Sequence, residues 1–129
     1  MSKKTLLIDF DGTLSQYTIP YKLAKAQEDA EGRILEEPVP GAIDALQAYC
    51  RRFQVVIFST RCGSAGGAER IRMWLSAKGL PEEVLCQLQF TNVKVPAWMI
   101  LDDRAQQFTG AFPSPDEIDD FVPWNRSKT

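Results

Sequence analysis

The apolar run Leu6-Leu7-Ile8 stops abruptly at two carboxylates, Asp9 and Asp11, with Gly12 directly behind them. The run reads as a short buried strand. Residues i and i+2 of a strand point to the same side, so the two acids converge if the strand ends between them. Converging carboxylates repel, and burying them is costly unless a cation or hydrogen bonds compensate. Mg²⁺ suits such a pair, since it takes one or two carboxylates, a backbone carbonyl and waters. A plain strand followed by an Asp-Gly turn would use the same residues, so the rest of the chain decides.

Three further apolar runs also end in polar residues. Phe53–Phe58 ends at Ser59-Thr60-Arg61, Leu88–Phe90 at Thr91-Asn92, and Trp98–Leu101 at Asp102-Asp103. Between them lie stretches of helical spacing: Tyr21–Ala30, Ala42–Cys50, Ala68–Lys78 with Ile71, Trp74 and Leu75 inward, and a short one at Glu82–Cys86. Phe108–Phe112 reads as an edge strand, Pro115–Phe121 as a last short helix, and Asn125–Thr129 as a loose tail. Strands alternating with helices predict an α/β three-layer sandwich with a mostly parallel, Rossmann-like sheet. Ligands bind such sheets outside the carboxyl ends of the strands. Asp9/Asp11, Ser59/Thr60, Asp102/Asp103 and Lys94, in the loop before the fourth strand, would therefore meet at one edge.

Composition narrows the chemistry. The 129 residues contain no histidine, which removes Ser-His-Asp and Cys-His hydrolysis and histidine-ligated zinc. The length predicts one domain with its own core. Cys50, Cys62 and Cys86 form no disulfide framework or zinc spacing, which fits a reducing, cytoplasmic setting. The start Met1-Ser2-Lys3-Lys4 leaves no room for a signal peptide, and no apolar run is long enough to cross a bilayer. A net charge of −2 gives no general attraction to nucleic acid or membranes.

Taken together, Asp9, Asp11 and Asp102 make a carboxylate nest fit for Mg²⁺, while Ser59 and Lys94 suit the oxygens of a phosphoryl group. A carboxylate could then attack phosphorus, with the second aspartate as acid and later base. The order Asp9-Phe10-Asp11-Gly12-Thr13, Ile57-Phe58-Ser59, Lys94, Leu101-Asp102-Asp103 resembles the four motifs of the haloacid dehalogenase-like (HAD) hydrolases. The resemblance implies Asp9 as nucleophile and Asp11 as general acid/base. It implies Mg²⁺ held by Asp9, Asp102 and the Asp11 main-chain carbonyl, with Thr13 and Asp103 in support. Phosphate would fall to Ser59, or Thr60, and Lys94. An acid at Asp11 implies phosphatases rather than dehalogenases.

The gaps between motifs leave no room for a large cap; residues 15–40 make at most a helix and a flap. An open site admits a sugar phosphate, a phosphoprotein or a polynucleotide end, and a second subunit could supply a lid. For a polynucleotide rim the only cluster is Arg51, Arg52, Arg61, Arg70 and Arg72, and nucleic acid is not favoured. Arg61 is either a second positive charge at the mouth or the partner of a surface acid; Cys62 has no evident role. The expected function is an Mg²⁺-dependent phosphomonoester phosphatase. The alternatives are a phosphate-binding or regulatory module without turnover, or a polynucleotide-end phosphatase. A receiver-type signalling domain places its lysine after the hydroxyl on the last strand, unlike the order here.

Overall fold

A computed structural model describes residues 3–125. Strands β1 (Thr5–Asp9), β2 (Gln54–Phe58), β3 (Gln89–Thr91) and β4 (Met99–Leu101) form one all-parallel sheet in the order β3-β2-β1-β4. The register aligns Leu101, Ile8, Ile57 and Phe90 in one row across the sheet. Ile100, Leu7, Val56 and Gln89 form the next row, on the opposite face.

The first row faces the core. There Leu6, Ile8, Val55 and Ile57 join Leu46 and Cys50 of α2 (Ala42–Cys50), Ile71, Trp74 and Leu75 of α3 (Gly67–Ala77), and Leu85 of α4 (Glu82–Leu85). Phe10, fully buried, meets the Trp74 ring edge-on at 5.1 Å. Trp74 also donates from Nε1 to the Glu36 carbonyl at 2.8 Å, so the indole is both core and anchor.

Topology explains this one-sidedness. The connections β1→β2 and β2→β3 step in the same direction, and right-handed crossovers send both over the same face. The return from β3 to β4 steps backwards, which takes residues 92–98 over the other face. Leu7 and Val56 are buried on that face, while Ile100 is exposed. The two remaining helices do not cover it. α5 (Pro115–Asp119) has no buried residue, and α1 (Tyr21–Glu31) leans on the loop after β2 through Glu28. The expected α/β class and parallel sheet are present, in an arrangement consistent with a Rossmann-like sandwich.

The predicted edge strand at Phe108–Phe112 does not form. Its backbone joins no ladder, and the exposed rings of Phe108 and Phe112 pack on each other at 4.9 Å. Gly110 at φ 104° and Pro113 break the extended conformation that a ladder needs. α5 forms as expected, opened by a reciprocal cap in which Ser114 accepts from the Glu117 amide at 3.1 Å. Asn125, expected to be loose, is pinned on the Gly12 loop; the rest of that tail, 126–129, lies outside the described residues.

Candidate active site

All four strands point their carboxyl ends to one edge, and β1 carries its acids there. The Phe10 carbonyl accepts from the amides of Thr13, Leu14 and Ser15, folding the chain back on itself directly after Asp9. Gly12 makes this turn at φ 87°, where other residues are strained. A Cβ on it would also run into the Asp103 carboxylate and the Asn125 amide. Gly12 therefore brings the first motif and the end of β4 into direct contact.

Asp9, Asp102 and Asp103 each place a carboxylate oxygen within 4.8 Å of the others. Asp9 is half-buried, and its carboxyl is pushed up to about 8. Burial is the largest cause, followed by a hydrogen bond with Asp103 and the charges of Asp102, Asp103 and Asp11. Asp102 is exposed and accepts the Arg104 amide at 2.7 Å. Asp103 accepts from Asn125 Nδ2 at 3.3 Å, and the same amide reaches the Gly12 carbonyl at 3.4 Å. Trp124 Nε1 donates to that carbonyl at 3.0 Å. Two polar atoms stay buried without a partner among the described residues, Thr13 Oγ1 and Asn125 Oδ1. Three crowded carboxylates, one of them forced towards its protonated form, are a donor set that a hard divalent cation fits.

The Asp11 carboxylate is not in this triad. Arg61 Nε lies 3.1 Å from both of its oxygens, and Nη2 lies 2.9 Å from Oδ1. Arg61 Nη1 turns the other way, to Glu28 Oε1 at 2.7 Å. Burial alone would lower the Arg61 pKa, but the hydrogen bonds and charges of Asp11 and Glu28 outweigh it and hold the guanidinium above its ordinary value. Of the metal ligands read from the sequence, Asp9 and Asp102 come together as side chains, Asp103 joins them, and Asp11 faces Arg61.

Ser59 is buried at the end of β2. Its Oγ accepts the Arg61 amide at 3.1 Å and donates to Asp11 Oδ2 at 3.4 Å, which opens a 3₁₀ turn at Thr60–Gly63. Thr60 is exposed and lines the cavity described below, so Ser59 is the hydroxyl that touches Asp11. Lys94 is exposed in the β3–β4 connection, with no hydrogen bond or ion pair among the described residues. Burial pushes the Cys62 thiol up, with a partly opposing hydrogen bond from the Thr91 backbone, so it is a poor nucleophile.

Residues 14–16 and 37–39 pair as a stem, with Gln16 N–Glu37 O and Val39 N–Leu14 O both at 2.8 Å. The stem carries α1 out beside the site. Between α1 and the start of α3 lies a cavity of about 440 Å³, lined by Asp11, Tyr17, Ile19, Glu28, Arg61 and Arg70 among others. Sequence reasoning missed Glu28 and Glu36 of this flap. Both are buried; Glu36 accepts from Thr18 and Ile19 amides at 2.7 and 3.0 Å. For Glu28 the signal was its spacing four residues after Ala24, the buried position of the same helix face. Comparison with family models, with curated proteins and with solved structures found no match to this chain.

Proposed function

We propose that this protein is an Mg²⁺-dependent phosphomonoester phosphatase of the haloacid dehalogenase-like type, working through an aspartyl-phosphate on Asp9. The observation that carries the proposal is the triad Asp9, Asp102, Asp103 at the carboxyl edge, with Asp11 and Ser59 beside it. A divalent cation held by the three carboxylates would neutralise them and offset the negative charge of an incoming phosphoryl group. Asp9 would attack phosphorus as its carboxylate, the form that such a cation favours over the protonated one. Asp11, two residues on, would give a proton to the leaving oxygen and later take one from water. Ser59 would hold a phosphoryl oxygen, and the exposed Lys94 would reach in from its loop when substrate is bound.

The paired cations around the cavity argue against a polynucleotide end. Arg61 is held by Asp11 and Glu28, and Arg70 and Lys25 both meet Asp29, at 3.0 and 3.3 Å. Among the described residues, no run of free cations leads from the cavity for a phosphate backbone to follow. A phosphate-binding module without turnover is the second reading, favoured by the engagement of Asp11 with Arg61. One experiment separates the two: hydrolysis of a panel of phosphomonoesters, with and without Mg²⁺, by wild type and Asp9→Asn. Metal-dependent phosphate release that falls to background in the variant is the expected outcome. Mg²⁺ binding without release from any substrate would favour the module, and absence of Mg²⁺ binding would overturn both.

A further inference from the structure

Arg61 is the most heavily committed side chain at this edge. One nitrogen pair grips the proposed acid/base, Asp11, and the remaining nitrogen grips the flap residue Glu28. Glu28 in turn accepts the Leu35 amide at 3.3 Å, so it ties α1 to the returning limb of the flap. The base of Arg61 is fixed as well. Its carbonyl packs so tightly against Gly67 that a Cβ there would overlap it, and its guanidinium lies 5.8 Å from the Phe10 ring centre. A planar guanidinium fork offers two parallel N–H groups that fit a carboxylate and a phosphoryl group equally well. Here that fork lines the cavity and is filled by Asp11, so an incoming phosphoryl dianion and Asp11 compete for the same donors.

We propose that Arg61 is a phosphoryl-sensing latch: without substrate its Nε and Nη2 hold Asp11, and the oxygens of a bound phosphomonoester take Asp11's place there. The exchange releases the Asp11 carboxylate for proton transfer only when a phosphoryl group is present. Nη1 stays on Glu28 throughout, so the same event keeps α1 seated over the cavity. This deepens the phosphatase reading and rests on it for the role of Asp11.

The test is a double-mutant cycle read by calorimetric titration of inorganic phosphate at saturating Mg²⁺. Asp11→Asn weakens the resident competitor and is expected to tighten phosphate binding about tenfold, the scale of coupling between contacting charged groups. In an Arg61→Lys background that gain should shrink to about twofold or less, because an ammonium keeps the charge but has no fork to exchange. Arg61→Lys alone should raise KM for p-nitrophenyl phosphate more than it lowers kcat. Equal gains from Asp11→Asn in both backgrounds would mean simple charge removal and would overturn the latch, as would wild type failing to bind phosphate. Circular dichroism and melting of each variant separate a lost fold from a lost latch. An active enzyme with an additive cycle overturns the latch alone. A wild type that hydrolyses nothing, yet shows the coupled cycle, retains the latch and loses the phosphatase reading.

Discussion

The row Leu101–Ile8–Ile57–Phe90 and the row Ile100–Leu7–Val56–Gln89 belong to opposite faces of the same four strands, yet they are covered differently. The first packs against α2, α3 and α4 in a continuous core. The second is closed over Leu7 and Val56 and opens at β4, where Ile100 is exposed; Met99, on the first face of the same strand, is exposed as well. Trp98, Phe108, Phe112 and Phe121, all in or after the β3–β4 connection, are exposed as well. The site straddles this boundary. Asp9 projects from one of the two well-buried central strands, and Asp102 and Asp103 follow the least buried one. The difference teaches that burial is concentrated at Asp9's side, while the other half of the acidic triad rides on an edge strand that little else holds.

The comparison breaks most visibly on the covered side. Phe10→Ala removes a fully buried ring and its contact with Trp74, and should cost about 3–5 kcal/mol of unfolding free energy in urea. A loss of less than about 1 kcal/mol would show that the helical face is not where stability resides.

The boundary itself is probed by pH and metal. In the metal-free native protein Asp9 keeps its proton up to about pH 8, whereas in the unfolded chain it loses it near the ordinary value of 3.8. Between these limits the native state binds the extra proton, so this group's contribution to stability falls as pH rises. Melting temperature in EDTA should therefore decline from pH 5 to pH 8 more steeply for wild type than for Asp9→Asn. Mg²⁺ competes with that proton and should stabilise the protein more at pH 8 than at pH 6. It should also protect the amides of β4 in hydrogen exchange more than those of β2, since it would tie the weak strand to the strong one.

The smallest effect belongs to the open side. Ile100→Ala should cost under about 1 kcal/mol, measured by the same urea unfolding, because much of its side chain is already in solvent. A loss matching that of Phe10→Ala would mean that this face is covered in solution.

Much of this arrangement was legible from local pattern. The four strands and the helices at 21–31, 42–50 and 67–77 follow from runs and periods that act within a few residues. The convergence of the acids follows from those strands running parallel, which their alternation with helices already implied. What pattern could not reach was partner choice. Asp11 and Asp103 are each an acid beside another acid, and only the fold-back at Gly12 and the reach of Arg61 assign one to the triad and the other to the guanidinium. The path of the β3–β4 connection was hidden for a related reason. Residues 92–98 are ordinary loop sequence, and only the strand order reveals that they must cross a whole face. Phe108–Phe112 has strand composition without a neighbouring strand to pair with, and composition alone does not supply one.

The hydrogen bond from Trp124 to the Gly12 carbonyl joins groups 112 residues apart. At a synthesis rate of about 5–20 residues per second, the turn that carries the acids waits on the order of ten seconds for the indole that covers it. A growing chain can build β1, β2 and their helices long before then. The Gly12 carbonyl at its acidic edge, however, waits for this partner until residue 124 has been added, so translation itself sets the earliest moment at which this contact can form.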